Sequence, residues 1–439
     1  MTAVLAVDFG ASSVRVCRVE LDAVPLRADV VHRCAHAPVR DGDGSLRWDW
    51  PRLVDAMARG LEAGCAAGPV ASIGVDTWGV DYGLLDERGT LIAPPFSYRD
   101  ARTAGYRAVV DRIGEARLYE LTGLQLEPYN TIFQLAAHRR DELERAHSVL
   151  LLPELLVHHL TGAVTAEPTS AGTSGLRDIT TGSWSDELCA VAGIERALLP
   201  ELLPATTPVG TWRDIPVHLV GGHDTASAVV AMGAPPGAGT AFVSSGTWLI
   251  VGRELARADT SETARRANFS NETGALGGIR HLRNVAGFWL LERCRAEWGS
   301  PSLAELVDEA DAYDGDVPTF DATDERLLDP PAMVAEITDA AGLAHGASRA
   351  VVVATILDSM AATVTDVFER LGGVTDARLF GGGAQLPSFV RRLGAASRIP
   401  ITTGPVEAAA LGNAMVQGIA LGVYADVSDA RAALALVSA

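Results

Sequence analysis

The chain has 439 residues, more than a single core of ordinary size organises, so two domains are expected. Hydrophobic side chains make up 48% of it and charged ones 21%, which excludes a disordered or fibrous polypeptide. With 36 basic against 55 acidic residues the net charge is −19, a surface that would repel nucleic acid and anionic membranes, so neither is an expected partner.

The N-terminal stretch "MTAVLAVDFGASS" has no basic leader, and Asp8 interrupts its apolar run, so it reads as a strand and not as a signal peptide. Continued as "VLAVDFGASSVRVCRVEL", it reads as strand, tight turn, strand. Successive backbone N–H groups and the hydroxyls of Ser12 and Ser13 in that turn can cradle a phosphate. Asp8 at the strand end can hold the water shell of a magnesium ion. The same residues also suit an ordinary hairpin, in which Asp and Ser only stabilise the turn.

Next, "DWPRLVDAMARGLEAGCAAG" has helical spacing, with Trp48 and Trp50 packing at its start and Asp49 or Trp50 in the cap region. It leads into a strand, "ASIGVDTWGVDYGLLD". "RRDELER" reads as a solvated helix face, and His158 and His159 in "LLVHHLTG" as structural, with no carboxylate or cysteine at ligand spacing. In "VGGHDTASAVVAMG" two glycines make a turn and a greasy helix follows. Asp224 stands between them, either as a helix cap or as a carboxylate placed to accept a hydroxyl proton, flanked by His223 and Thr225.

"MGAPPGAG" suits a hinge, so the expected domains are 1–235 and 236–439. The second half repeats the opening plan: "GTAFVSSGTWLIVGREL" is another hairpin, and its "SSGT" turn is another phosphate-friendly loop. A long helix over 348–373, a strand over 377–383 and a helix over 386–397 follow. Glycines 381–383 let backbone approach a ligand closely, or simply let the turn pack. Alternating helices and strands argue for mixed sheets flanked by helices. Neither a P-loop, a dinucleotide fingerprint nor a hydrolase GxSxG elbow is present. No run approaches the roughly 18 uninterrupted apolar residues expected of a membrane span. The five scattered cysteines, without a CxxC pair, fit free thiols in a reducing compartment, the cytoplasm.

Taken in order from Leu5 to about residue 422, "LAVDFGASSVR", "IGVDTWGVDYGLLD", "VGGHDTASAVVAMG", "SSGTW", "NVAGFWLLER", "FGGGAQ" and "GPVEAAALGNAMVQGIA" resemble the FGGY carbohydrate kinases. Within that family they are most similar to the kinases of L-rhamnulose. The resemblance implies an α/β, two-domain actin-like ATPase (ribonuclease H-like) fold with an interdomain active-site cleft. It implies transfer of the ATP γ-phosphate to the sugar's 1-hydroxyl, with ATP and Mg2+ as cofactors and a ketose as partner, in a monomer or homodimer.

Residue by residue, the resemblance implies that Ala11, Ser12, Ser13, Val14 and Arg15 form the first phosphate loop and that Asp8 faces the metal. Gly79, His223, Thr225 and Asn284 would bind the sugar, and Asp224 would be the general base. Thr247, Glu292 and Gly382 would face the nucleotide. Three positions depart from the pattern: Val14 where Gly is frequent, Glu292 where Gln is expected, and Thr273 where Gly is expected. The last two leave room for L-fuculose, L-xylulose or D-xylulose. A non-catalytic actin-like ATPase or a sugar-binding regulator are the readings from other classes.

Overall fold

The computed structural model describes residues 2–235, 237–327, 330–434 and 437–438. Its contacts divide the chain into two units that are discontinuous in sequence: Met1–Ala231 with Leu255–His281 and Glu407–Ala435, and Met232–Glu254 with Leu282–Val406 and Leu436–Ala439.

The first unit is built on a six-stranded sheet. Ala3–Phe9 is buried along its whole length, as a central strand covered on both faces must be. Ser13–Glu20 lies antiparallel beside it and alternates buried with half-buried residues, and Asp29–Ala35 extends the meander. On its other side Ala3–Phe9 pairs in parallel with Ser72–Thr77, which is followed by Ile215–His218 and Pro208–Trp212. This register sets Asp8 opposite both Arg15 and Asp76. Helix Trp50–Ala66, capped by the Asp49 side chain, puts Leu53, Met57 and Leu61 into a core with Leu5, Val7 and Val16. Helix Ala408–Ala420 also packs on the first strand.

Two expectations need correction. The stretch read as one strand is two, Ser72–Thr77 and Tyr82–Leu85, and the second pairs away with Ser148–Leu151. The indole N–H groups of Trp48 and Trp78 both donate to the Asp81 carboxylate, at 2.6 and 2.8 Å, which turns the chain between them. "RRDELER" is not a wholly solvated face: Glu142 is buried, 2.8 Å from Arg47 and 2.9 Å from His138. His138 stands at helical i,i+4 spacing, but Arg47 lies 95 positions earlier on strand Leu46–Trp48, so helical spacing alone does not reveal the buried ion pair. His158 is structural as expected, its ring nitrogens bonded to the carbonyls of Ala163 and Gly89.

The second unit repeats the plan. Thr240–Ser245 is antiparallel to Trp248–Leu255 and parallel to Asp376–Gly381, which is parallel to Ile401–Thr403. Helix Arg349–Leu371, capped by Ser348, is long and apolar enough to cross a membrane by length and composition. Its most apolar window is 72% buried inside the protein, as the central helix of a packed core would be.

Candidate functional site

The C-terminal end of the first strand carries Asp8, 1% exposed. Arg15 reaches back across the hairpin to its Oδ2 at 2.8 Å and holds Glu407 at 2.9 Å with its other nitrogen. Burial pushes the Asp8 carboxyl up, Arg15 pulls it back, and Asp224 and Glu407 raise it further. Burial and the neighbouring Asp8 also raise Asp76, which Asn413 Nδ2 holds at 2.6 Å. Asp8 Oδ1 and Asp76 Oδ1 are buried with no hydrogen-bond partner among the described residues. Orphaned carboxylate oxygens of this kind suit a hard cation or its water shell. No group of three or more His, Cys, Asp or Glu assembles as a metal cage among the described residues, so such an ion would take most of its ligands from phosphate and water.

The adjoining turn presents Ser12 exposed, with Ala11 and Ser13 half-buried. Gly10 N donates to Ser13 O at 3.0 Å and closes it. Val14 is different: it is fully buried in the strand ladder opposite Phe9, so its side chain belongs to the core.

Asp224 opens helix Asp224–Met232. The carbonyl of His223 accepts from Ala226 N and Ser227 N, so the helix starts without the Asp224 side chain. Among the described residues that carboxylate bonds only within its own turn: Oδ1 takes Thr225 N at 2.5 Å and Thr225 Oγ1 at 3.1 Å, and His223 Nε2 stands 3.5 Å away. Oδ2 has no hydrogen bond among the described residues, and the side chain is 28% exposed. A helix cap would spend its oxygens on backbone N–H groups further into the helix; this one keeps an oxygen open.

The turn before it is fixed from behind. Glu167 Oε2 accepts from Gly222 N at 3.1 Å and Thr169 N at 2.8 Å, and Thr169 Oγ1 accepts from His223 N at 3.1 Å. Burial pushes Glu167 up to about 7 and its buried neighbour Glu154 to about 8. Behind the His223 ring lie Glu272 and the fully buried Arg280, 3.0 Å apart.

Gly79 lies half-buried in the turn after Ser72–Thr77, where an added Cβ would come 3.0 Å from Thr173 Oγ1. Trp78 precedes Gly79 in the chain, and its ring lies 4.4 Å from that of Trp48, with His36 against both. His36 Nε2 in turn meets the carbonyl of Gly10 at 2.9 Å, which ties this turn to the first loop.

In the second unit, Thr247 lies half-buried in the hairpin turn, its carbonyl accepting from Trp289 N at 3.1 Å. A Cβ on Gly381 or Gly383 would collide with Ser245, at 2.6 and 2.8 Å, so packing explains both glycines. Gly382 is exposed and its nearest obstacle is 3.8 Å away, so the fold itself does not require glycine there. Asn284 is half-buried on strand Ile279–Ala286. Glu292 is half-exposed on helix Trp289–Glu297, and Arg295 takes its Oε2 at 2.7 Å.

The structure thus gathers Asp8, Arg15, Gly79, His223, Asp224 and Thr225 onto the first unit, and Thr247, Asn284, Glu292 and Gly382 onto the second. Reading the sequence missed Asp76, Glu407, Asn413, Glu272 and Arg280. Asp76 and Glu407 sit inside quoted motifs, where an acid in an apolar segment was the available signal. Nothing local marks Arg280.

The N-terminal-domain model of the FGGY family of carbohydrate kinases matches residues 3–233, and the C-terminal-domain model matches residues 241–421. A rhamnulokinase of Pectobacterium carotovorum subsp. carotovorum is 37% identical over 98% of this chain and 90% of its own length. A rhamnulokinase of Pectobacterium atrosepticum is 36% identical over the same shares. Among solved structures, ligand-bound xylulose kinase from Lactobacillus acidophilus superposes with a TM-score of 0.82 at 14% identity, covering 99% of this chain and 93% of that one. Plasmodium falciparum glycerol kinase with ADP gives 0.79 at 14% identity, covering 100% and 94%.

Proposed function

The chain belongs to the FGGY family of carbohydrate kinases, and from that premise we propose that it transfers the γ-phosphoryl group of ATP to the 1-hydroxyl of L-rhamnulose. It is an ATP-dependent sugar phosphotransferase with the two-domain, actin-like α/β fold of its family. The ketose comes from the rhamnulokinase relatives, and the mechanism from one observation: Asp224 has Oδ1 held by its own turn and Oδ2 open.

In the proposed reaction Asp224 Oδ2 takes the hydroxyl proton as the sugar oxygen bonds to phosphorus. Gly79, His223, Thr225 and Asn284 would hold the sugar. Backbone N–H groups of the turn leading into strand Ser13–Glu20, at Ala11, Ser12 and Ser13, would receive phosphate oxygens, and Arg15 would hold Asp8 in place, its guanidinium being engaged by Asp8 and Glu407. Thr247, Gly382 and Glu292 would lie on the nucleotide side. Magnesium, when bound, neutralises phosphate charge, and Asp8 with its orphaned Oδ1 fits its water shell. We assign sugar binding, the first phosphate loop and Asp224 to 1–235 and nucleotide binding to 236–439, in a cytoplasmic monomer or homodimer whose five cysteines are all free.

A second reading, a related ketose, is favoured by Thr273, whose hydroxyl accepts from Arg177 at 2.7 Å where glycine would offer nothing. The test is ADP release with MgATP across L-rhamnulose, L-fuculose, L-xylulose, D-xylulose and a no-sugar control. Preference for L-rhamnulose is expected; preference for another ketose keeps the chemistry and replaces the substrate. Asp224→Ala is expected to lose roughly 10²- to 10⁴-fold in kcat while still binding ATP. Unchanged turnover would remove Asp224 from the mechanism.

A further inference from the structure

Resting on that reading of Asp224, we infer that Arg280 and Glu272 are positioning residues that fix His223 as the tautomer whose Nε2 hydrogen faces the Asp224 carboxylate. His223 is then a hydrogen-bond donor to the base and no acceptor of the substrate's proton.

Arg280 is 0% exposed on strand Ile279–Ala286. Its Nη2 stands 3.2 Å from His223 Nδ1 with hydrogen-bond geometry, and 3.0 Å from Glu272 Oε2. Its Nε donates to the carbonyl of Thr273 at 3.2 Å, which holds the guanidinium plane. A guanidinium carries donors only and keeps its charge in a protein. The imidazole nitrogen facing it must therefore be the acceptor, and a neutral ring with Nδ1 bare carries its hydrogen on Nε2. Nε2 is the nitrogen that points to Asp224 Oδ1, 3.5 Å away. The competing arrangement, Nδ1–H donating to Glu272 Oε2 at 3.4 Å, would set a second hydrogen against the Arg280 donors. Glu272 is better placed as the counter-charge of a buried arginine than as the partner of the ring.

The consequence falls on Asp224. Oδ1 accepts from Thr225 N and Thr225 Oγ1 and faces His223 Nε2 at 3.5 Å. Negative charge is held on Oδ1 and the proton-accepting role falls to Oδ2. In the transfer step the substrate O–H bond breaks and its oxygen forms the new bond to the γ-phosphorus. The bond from that phosphorus to the bridging oxygen breaks, its electron pair leaves on ADP, and the proton stays on Oδ2. With Nε2 already protonated, His223 offers no onward path for it.

The experiment is long-range 1H–15N NMR of full-length protein labelled at histidine, with His223 assigned by its loss in His223→Asn. The expected spectrum has Nδ1 bare and Nε2 protonated; an Nδ1–H tautomer or a doubly protonated ring would overturn the inference. It needs neither sugar nor ATP, so it can fail while the ketose panel succeeds, and the reverse. In Arg280→Met the ring is expected to turn its hydrogen to the Glu272 side, and kcat to fall roughly tenfold or more with KM for ATP unchanged. Arg280→Lys, which keeps a donor, should recover part of that loss. An Arg280→Met protein with native tautomer and native kcat would sink the idea. If Arg280→Met does not fold, the wild-type spectrum decides alone.

Discussion

Val80 has φ of +69°, a region that costs a β-branched residue about 1–3 kcal/mol and persists only where the surroundings over-determine it. Here its carbonyl accepts from Thr131 Oγ1 at 2.7 Å and Gln134 Nε2 at 3.1 Å, while Asp81 beside it clamps two tryptophans. The strained residue directly follows Gly79. Val80→Gly is expected to relieve the torsion yet loosen the turn, raising KM for the ketose severalfold with KM for ATP unchanged; steady-state kinetics with each substrate varied would show it. Equal KM values for the ketose would mean that the strain serves packing alone. Glu142 makes the complementary case for stability. Removing it leaves Arg47, 4% exposed, without its buried counter-charge, so Glu142→Ala is expected to cost about 3–5 kcal/mol in urea unfolding. Glu292→Ala, which breaks an ion pair exposed to solvent, should cost no more than about 1 kcal/mol.

Helix Ala408–Ala420 meets helix Asp224–Met232 backbone to backbone at Gly412. A Cβ on Gly412 would stand 1.6 Å from the carbonyl oxygen of Ser227, one turn beyond the proposed base. Backbone cannot yield as a flexible side chain does. Gly412→Ala is therefore expected to destabilise by at least the roughly 1–3 kcal/mol of an overpacked core, and to shift the helix that carries Asp224. Gly394, in helix Pro387–Ser397, has its nearest obstacle at 3.9 Å. Gly394→Ala should be neutral or stabilising by up to about 1 kcal/mol. Paired thermal melts of the two variants check both, and similar losses in both would discredit the contact. Both glycines look alike in sequence, since each interrupts an apolar helical stripe. The two hairpins were legible because alternation and turn residues act within a few positions. The break at Trp78–Asp81 was not, since Trp48, which helps to hold it, lies some thirty residues earlier in the chain.

For the whole molecule, the buried acids Glu154 and Glu167 set a pH dependence. Burial raises their folded values to about 8 and about 7, whereas the unfolded chain releases these protons near 4.5. Between those limits the folded state binds more protons than the unfolded one, so this contribution weakens as pH rises from about 4.5 towards 8. Urea midpoints are expected to fall across that window, and Glu154→Gln should flatten the slope by removing one titrating group. A slope unchanged by the variant would mean that other groups carry the dependence.

The two strand–turn–strand openings, the helix after Asp224, and the presence of Asp8 and Asp224 at two element ends were determined by the sequence itself. Apolar periodicity and turn chemistry are local, and an acid at the end of a greasy segment stands out. Whether Asp224 was a cap or a base stayed open there, because both roles want the same residue at the same place. The tertiary structure bonds Oδ1 of Asp224 to Thr225 and gives Oδ2 no hydrogen bond among the described residues, which supports the base we propose. Only tertiary structure, too, brought Glu407 to Arg15, 392 positions apart, and Asn413 to Asp76, 337 apart. Such pairs depend on strand register and helix packing, which no local pattern encodes, and buried charges that lack a sequence neighbour find their partners only when the chain has closed on itself.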